Sequence, residues 1–288
     1  MGGRIMIILR KTINAKVGQP VLIVPIGDVH YNTKDCDKER FHSLIHWLSK
    51  KDNEGYKIII IGMGDYTDPL SSSERASLLS AKEGVGLHAS TLEQLDDLAE
   101  TLTQQFRSAI LPISNSIIGL LEGHHYMVFS KHSPHRNLTT TEYLSKQINA
   151  TYFGQDVFIK LQFPHGQEFR IFATHGRGSA STPGGRLNKR LNMNKVISDA
   201  HLYLMGHDHT KLAYPQDSFV RGPRKLPQTL KQYYCGTGAF LRAYRLDSPD
   251  STYAEEALMP PSNLGVIICH LKLEKLNSHY RIDYHVSV

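Results

Sequence analysis

The chain of 288 residues is predicted to fold as an α/β domain. Three observations carry that expectation. Short β-type apolar runs alternate with longer helical segments early in the chain. The tail is richer in strands. Five of the apolar runs stop on Gly or Thr and pass directly into Asp or His. No repeat of fixed period and no Pro/Ser-rich linker interrupts the chain, so one domain over 1–288 is expected, with residues 68–112 as a helical insertion.

Strands are expected at 4–10, 20–27, 57–62, 115–121, 156–163, 168–174, 201–205, 231–235 and 265–272, with a last one near 280–287. The spacing predicts a helix over 37–51, where Phe41, Leu44, Ile45 and Leu48 share one face and Asp35 or Asp37 can cap the start. A second is expected at 74–83. In a third, at 90–110, Leu92, Leu95, Leu98, Ala99 and Leu102 form a stripe, and Pro112 follows its end. Further helices are expected at 137–149 and 188–198.

Composition narrows the function classes. Hydrophobic residues at 40% and charged residues at 21% exclude wholesale disorder. Lys plus Arg exceeds Asp plus Glu by 33 to 27, a mildly basic balance that admits an anionic substrate without any long cationic run. The longest apolar runs (5–9, 21–26, 58–61) fall far short of a membrane span of about 20 residues, and the stretch at the N-terminus is too short for a signal peptide. Cys36, Cys235 and Cys269 are odd in number and far apart, which argues against a disulfide framework and for a reducing compartment. A cytoplasmic location is therefore expected, and Cys269, within VIICH, reads as a core thiol.

Histidine is unusually abundant: 16, against 14 Tyr and 10 Phe. Its placement is informative. VLIVPIG leads to Asp28 and His30; KIIIIGMG to Asp65; SIIGLLEG to His124 and His125; EFRIFAT to His175; AHLYLMG to His207 and His209. Successive clusters are 32 to 59 residues apart, room enough for a crossover between strands. Open α/β sheets gather ligands beyond the carboxyl ends of their strands, so five such ends would aim these side chains into one crevice. Imidazole and carboxylate together suit zinc, manganese, iron or nickel, and eight side chains are too many for one ion. Asp28 with His30, and His207 with His209, are two apart; on extended backbone such pairs point the same way.

The ordered motifs GDVH (27–30), GMGDYTD (62–68), EGHHY (122–126), THG (174–176) and GHDH (206–209) resemble those of the calcineurin-like metallophosphoesterases, of a generic, phage-type kind. The resemblance spans 27–209. It implies a four-layer α/β/β/α sandwich with two central mixed sheets, and two divalent metal ions drawn from manganese, iron, nickel and zinc. Carried over position by position, Asp28, His30 and His209 would hold one ion, Asp65 would bridge, and His175 and His207 would hold the other. His124 stands where the family has an Asn ligand, and Tyr126 where it has an acid. His125 would contact substrate and assist the leaving group. The implied activity is hydrolysis of a phosphate ester, and the basic balance leans it toward a nucleic-acid or nucleotide phosphodiester, with DNA and RNA among the candidate partners. The alternatives are a phosphomonoesterase and a metal-free scaffold on the same fold.

Weaker candidates lie around these motifs. GRGSASTPGGRLNKR (176–190) follows His175 and carries Arg177, Arg186, Lys189 and Arg190. It is either a phosphate-gripping rim, with Arg177 and Arg186 as substrate contacts, or a surface loop; for Arg190 the surface reading is favoured. His42 and His46 have zinc-compatible spacing, but HSLIH lacks a third ligand and reads as a helix face. FSKHSPHRN (129–137) is either the lining of a substrate groove or, the favoured reading, a turn before a helix, and Tyr233 with Tyr234 reads as strand packing rather than base stacking.

Overall fold

Alternate residues along the central strands divide between two cores, and this division builds the layers. The computed structural model describes residues 6–84, 88–178, 180, 182–221, 227–245, 251–256, 260–277 and 279–288. In chain order the elements are β1 (Ile7–Thr12), β2 (Pro20–Ile26), α1 (Lys38–Asn53), β3 (Lys57–Gly62), α2 (Ser72–Gly84), α3 (Ala89–Ile110), β4 (Ile117–Leu121), α4 (Thr140–Gln147), β5 (Thr151–Gly154), β6 (Asp156–Gln162), β7 (Glu168–Thr174), α5 (Pro183–Leu191), β8 (Leu202–Met205), β9 (Lys211–Arg221), β10 (Pro227–Ala239), α6 (Tyr253–Glu256), β11 (Gly265–Val266), β12 (Ile268–Leu276) and β13 (His279–Ser287).

One sheet has the order β13-β12-β2-β3-β4-β5, the other β1-β6-β7-β8-β10-β11 with β9 added on β10. Both are mixed: β2 through β5 run parallel and β12 antiparallel to β2, while β7, β8 and β10 run parallel and β6 opposes β7. Val21, Ile23, Ile59 and Ile61 of the first sheet face Val157, Ile159, Ile171 and Leu204 of the second in one continuous core. The intervening residues Leu22, Val24, Ile58 and Ile60 point the other way, onto Phe41, Ile45 and Leu48 of α1, Phe106 and Ile110 of α3, and Leu144 of α4. Phe158, Phe172, Tyr203 and Tyr234 cover the outer face of the second sheet against Met193, Leu191 and Ile197. The result is an α/β/β/α sandwich whose central strands, such as β2, β3 and β4, are apolar on both faces, as buried parallel strands require.

Local chemistry sets most boundaries. Asp37, not Asp35, caps α1, its carboxylate accepting the Arg40 N–H at 3.1 Å; Asp35 pairs with Arg245 instead. Thr139 caps α4, so the helix expected over 137–149 begins at 140. Helix 188–198 is displaced: α5 starts at Pro183, behind a Thr182 cap, and gives way after Leu191 to a tight turn at 192–195. Strands β5 and β9 were absent from the sequence expectation. TYFG is short, and β9 is a polar edge strand carrying Pro215, a position where the missing N–H is tolerated. Positions 4 and 5 of the first expected strand lie outside the described residues. Cys269 is fully buried, as a core thiol should be. No helix among the described residues is long and apolar enough to cross a membrane.

Candidate metal centre

The loops after β2, β3, β4, β7 and β8 meet at one end of the sandwich. The loop after β2 is laced to the loop after β3: Asp28 donates its N–H to Gly64 O at 2.9 Å, and Val29 and His30 donate to Asp65 O at 2.8 and 3.1 Å. All eight Asp and His residues expected at strand ends stand in or beside this cluster. Ligand atoms of Asp28, His30 and His209 form one group within 4.8 Å, and those of His124, His175 and His207 form another.

Asp65 lies between them. Its Oδ2 is 3.2 Å from His175 Nε2 and 3.9 Å from His30 Nε2. Its Oδ1 accepts the backbone N–H groups of His124 at 2.6 Å and His125 at 2.8 Å, which fixes the carboxylate against the EGHHY loop. Gly123 makes that approach feasible, since a Cβ there would stand 2.0 Å from Asp65 Oδ1. Asp28 is likewise fixed, accepting the His207 N–H through both oxygens at 3.2 and 3.0 Å and facing His209 Nε2 at 3.5 Å.

The paired residues converge for a reason different from the one expected. Asp28, His30, Asp65, His207 and His209 all have left-handed backbone, with φ between 48° and 70°. An extended strand is therefore not what aligns Asp28 with His30 or His207 with His209. Each motif curls back at its strand end. Left-handed non-glycine residues cost of order 1–3 kcal/mol each and persist only where the surroundings over-determine them.

The residues fit cations. Both ring nitrogens of His30 and Nε2 of His175 are buried and make no well-aligned hydrogen bond; they face only carboxylate oxygens, those of Asp68 and Asp65. His124 Nδ1 and His207 Nδ1 confront each other at 3.0 Å, two imidazole nitrogens sharing at most one proton. Buried imidazole nitrogens and carboxylate oxygens that converge on two points are what a pair of divalent ions would satisfy.

Charge supports this arrangement. Burial opposes ionisation of Asp28 and Asp65, but the adjacent histidines outweigh it: both carboxyls lie below their ordinary range, Asp65 well below. Burial also opposes a charge on His175, yet the Asp65 and Asp28 carboxylates lift it to about 9. His124 and His207 move down, first through burial and then through the neighbouring His175, with His207 at about 4.

No protein-family model matches the sequence, and no curated protein matches it. Solved structures similar to it include Vacuolar Protein Sorting 29 from Cryptosporidium parvum, 12% identical over 94% of this chain and 99% of that one, TM-score 0.39. A predicted phosphoesterase from Streptococcus pneumoniae is 11% identical over 94% and 90%, TM-score 0.33. A zinc complex of Vps29 from Entamoeba histolytica is 12% identical over 92% and 98%, TM-score 0.36. Likenesses this low assign no activity, metal or partner to this chain.

Three residues around the centre, Asp68, Asn32 and Arg75, have no role assigned from the sequence. Asp68 hydrogen-bonds His125 Nδ1 and lies 3.4 Å from His30 Nδ1. Its sequence signal is its place at the end of the GMGDYTD motif, three residues after Asp65. Asn32 grips the Asp68 backbone from both sides, at 2.6 and 3.1 Å. The Asp68 contact raises the His125 pKa against the pull of burial. Arg75 donates to the carbonyls of Leu70, His124 and Tyr126 and covers the Tyr126 ring at 3.8 Å, holding the EGHHY loop from behind.

The two expected substrate contacts differ in their surroundings. Arg177 is exposed, and its charge helps to lower the His124 pKa, after burial and other neighbours. Arg186 is half-buried and donates to Ala180 O at 2.9 Å and Thr210 Oγ1 at 3.0 Å. Arg190, read as a surface residue, is instead fully buried. Ser179 and Ser181 of the same loop lie outside the described residues. Of the weaker candidates, His42 bonds the Tyr31 hydroxyl at 3.0 Å, and Tyr234 stacks on Tyr203 at 4.5 Å, both packing roles.

Proposed function

We propose that this chain is a phosphoesterase working through two divalent ions, with phosphodiesters of nucleic acids or nucleotides as its preferred substrate class. The observation that carries the reading is the position of Asp65 Oδ2 between two histidine-rich trios. Asp28, His30 and His209 would hold the first ion, His124, His175 and His207 the second, and Asp65 would serve both. When bound, such ions supply a water nucleophile at neutral pH and a clamp on phosphoryl oxygens. The motif resemblance over 27–209 points to the same chemistry.

The protein's own groups do the rest. Backbone N–H groups of His124 and His125 hold the Asp65 carboxylate in one rotamer, so its free oxygen faces both trios without a reorganisation cost. Asp68 takes His125 Nδ1 and leaves Nε2 as the nitrogen able to pass a proton to a departing oxygen. The His125 ring stands 4.8 Å from that of His30, beside the first trio. No covalent enzyme intermediate is needed, so no activated Ser or Cys is required. Arg177 at the rim adds a cation suited to a second phosphate. A substrate panel tests the reading: a phosphomonoester, a phosphodiester, and single- and double-stranded DNA and RNA, each with manganese, nickel, zinc and magnesium. Metal-dependent turnover of diesters ahead of monoesters is expected. Turnover of monoesters alone would overturn the substrate class.

A further inference from the structure

The turn between the two trios has its own support. His207 belongs to one trio and His209 to the other, so a single turn supplies one imidazole to each. Both histidines are left-handed, with φ of 70° and 52°. Asp208 sits between them, and its carboxylate belongs to neither trio. Its Oδ1 receives Arg190 Nη2 at 2.6 Å and the Thr210 N–H at 3.2 Å. The pair is buried on both sides, Arg190 at 0% and Asp208 at 5% side-chain exposure. Arg190 also donates to Arg186 O at 2.8 Å, and Arg186 donates to Thr210. Gly236 of β10 forms the wall: a Cβ there would lie 2.4 Å from Arg190 Nη2 and 2.2 Å from Thr210 O.

Burying an arginine–carboxylate pair is a poor way to gain stability, because desolvation consumes most of the attraction, and apolar pairs of similar volume are often as stable or more so. Geometry is what such a pair provides. Resting on the dinuclear reading above, we infer that Arg190 is a positioning residue for both metal trios: its buried pair with Asp208 holds the His207–His209 turn in the strained form that sends one imidazole to each. The same helix reaches the rim, where Lys189 donates to the carbonyls of Arg177 and Gly178. Helix α5 thus sets the metal ligands and the Arg177 loop from one rigid element.

Manganese titration calorimetry on the chelator-stripped chain, paired with thermal unfolding without metal, tests this. The variants are Arg190→Met, the apolar pair Arg190→Met with Asp208→Leu, and Gly236→Ala, whose Cβ would crowd both the guanidinium and the Thr210 carbonyl beside the turn. His30→Ala is the one-trio control. Arg190→Met should lower both the metal-free midpoint and the affinity for both ions, the latter about 10–100-fold, the range seen when support for a ligand is lost. The apolar pair should recover the midpoint but not the affinity, and Gly236→Ala should weaken both ions while His30→Ala weakens chiefly one. Wild-type affinity in the apolar pair would reduce Arg190 to a packing residue and overturn the inference, as would full affinity in Gly236→Ala. A wild-type chain that binds no manganese would instead overturn the dinuclear reading on which the inference stands.

Discussion

His175 Nε2 lies 3.2 Å from Asp65 Oδ2, both groups buried, with the other ring nitrogen bonded to Met63 O at 2.7 Å. Without metal this is an imidazolium–carboxylate pair, His175 being lifted to about 9. A pKa raised in the folded chain gives stability that is fully present below the ordinary value near 6.5 and is lost as pH rises through 9. The metal-free protein should therefore lose stability between pH 6.5 and 9. Metal must displace the same proton, so manganese affinity should climb over that window. Calorimetry at several pH values checks both, and an affinity flat across it would mean that His175 is not a ligand.

His125 and Asp68 should act as a unit. His125→Ala should slow cleavage of esters with poor leaving groups by ~10²–10⁴-fold and leave nitrophenyl esters far less affected, since a nitrophenolate departs without a proton. Asp68→Asn should show the same pattern in milder form and shift the alkaline limb of the rate profile to lower pH, because the contact that raises the His125 pKa is gone. Kinetics on matched alkyl and nitrophenyl diesters read this out. Equal losses on both, or loss of a bound ion from His125→Ala, would assign His125 to the metals.

On the proposed reading, His124 would ligate from a position where an amide is usual in the resembling family. His124→Asn should keep two-ion binding and much of the activity while changing the preferred metal, because the amide brings an oxygen donor in place of a nitrogen. Activity ratios for manganese, nickel and zinc before and after the change measure it. Complete loss of the second ion would show that the loop here is built for the longer side chain.

Of the four cations at 177–190, Arg177 is the exposed one proposed to meet substrate, while Arg186, Lys189 and Arg190 bind the protein itself. Arg177→Ala should raise KM for a polynucleotide and flatten its salt dependence by about one phosphate contact, a change in log–log slope near 0.7–0.9. An unchanged slope would argue for a small substrate.

The sequence made the cluster legible because each of its Asp and His residues follows an apolar strand run, and the carboxyl ends of parallel strands lie along one edge of a sheet. The β-branched runs at 20–26 and 57–62 located their strands for the same reason. What stayed hidden depends on long-range contact. Asp68 is an ordinary loop carboxylate until His125, 57 residues later, folds onto it. Arg190 looks like a surface cation at the end of a basic helix until β10 brings Gly236 against it. The left-handed backbone at His207 and His209 was equally invisible, because neither residue type announces it as glycine would. Strand β9 escaped because pairing on one side alone leaves its sequence polar.

Hydrolysis of a phosphodiester by the chelator-stripped chain, followed while manganese is added stepwise to the wild type and to Asp65→Asn, tests the dinuclear centre most directly. The wild type should be inactive at first and reach full rate as two ions bind per chain, whereas Asp65→Asn, lacking the shared charge, should stay near background. Undiminished hydrolysis without metal, or by Asp65→Asn, would contradict it.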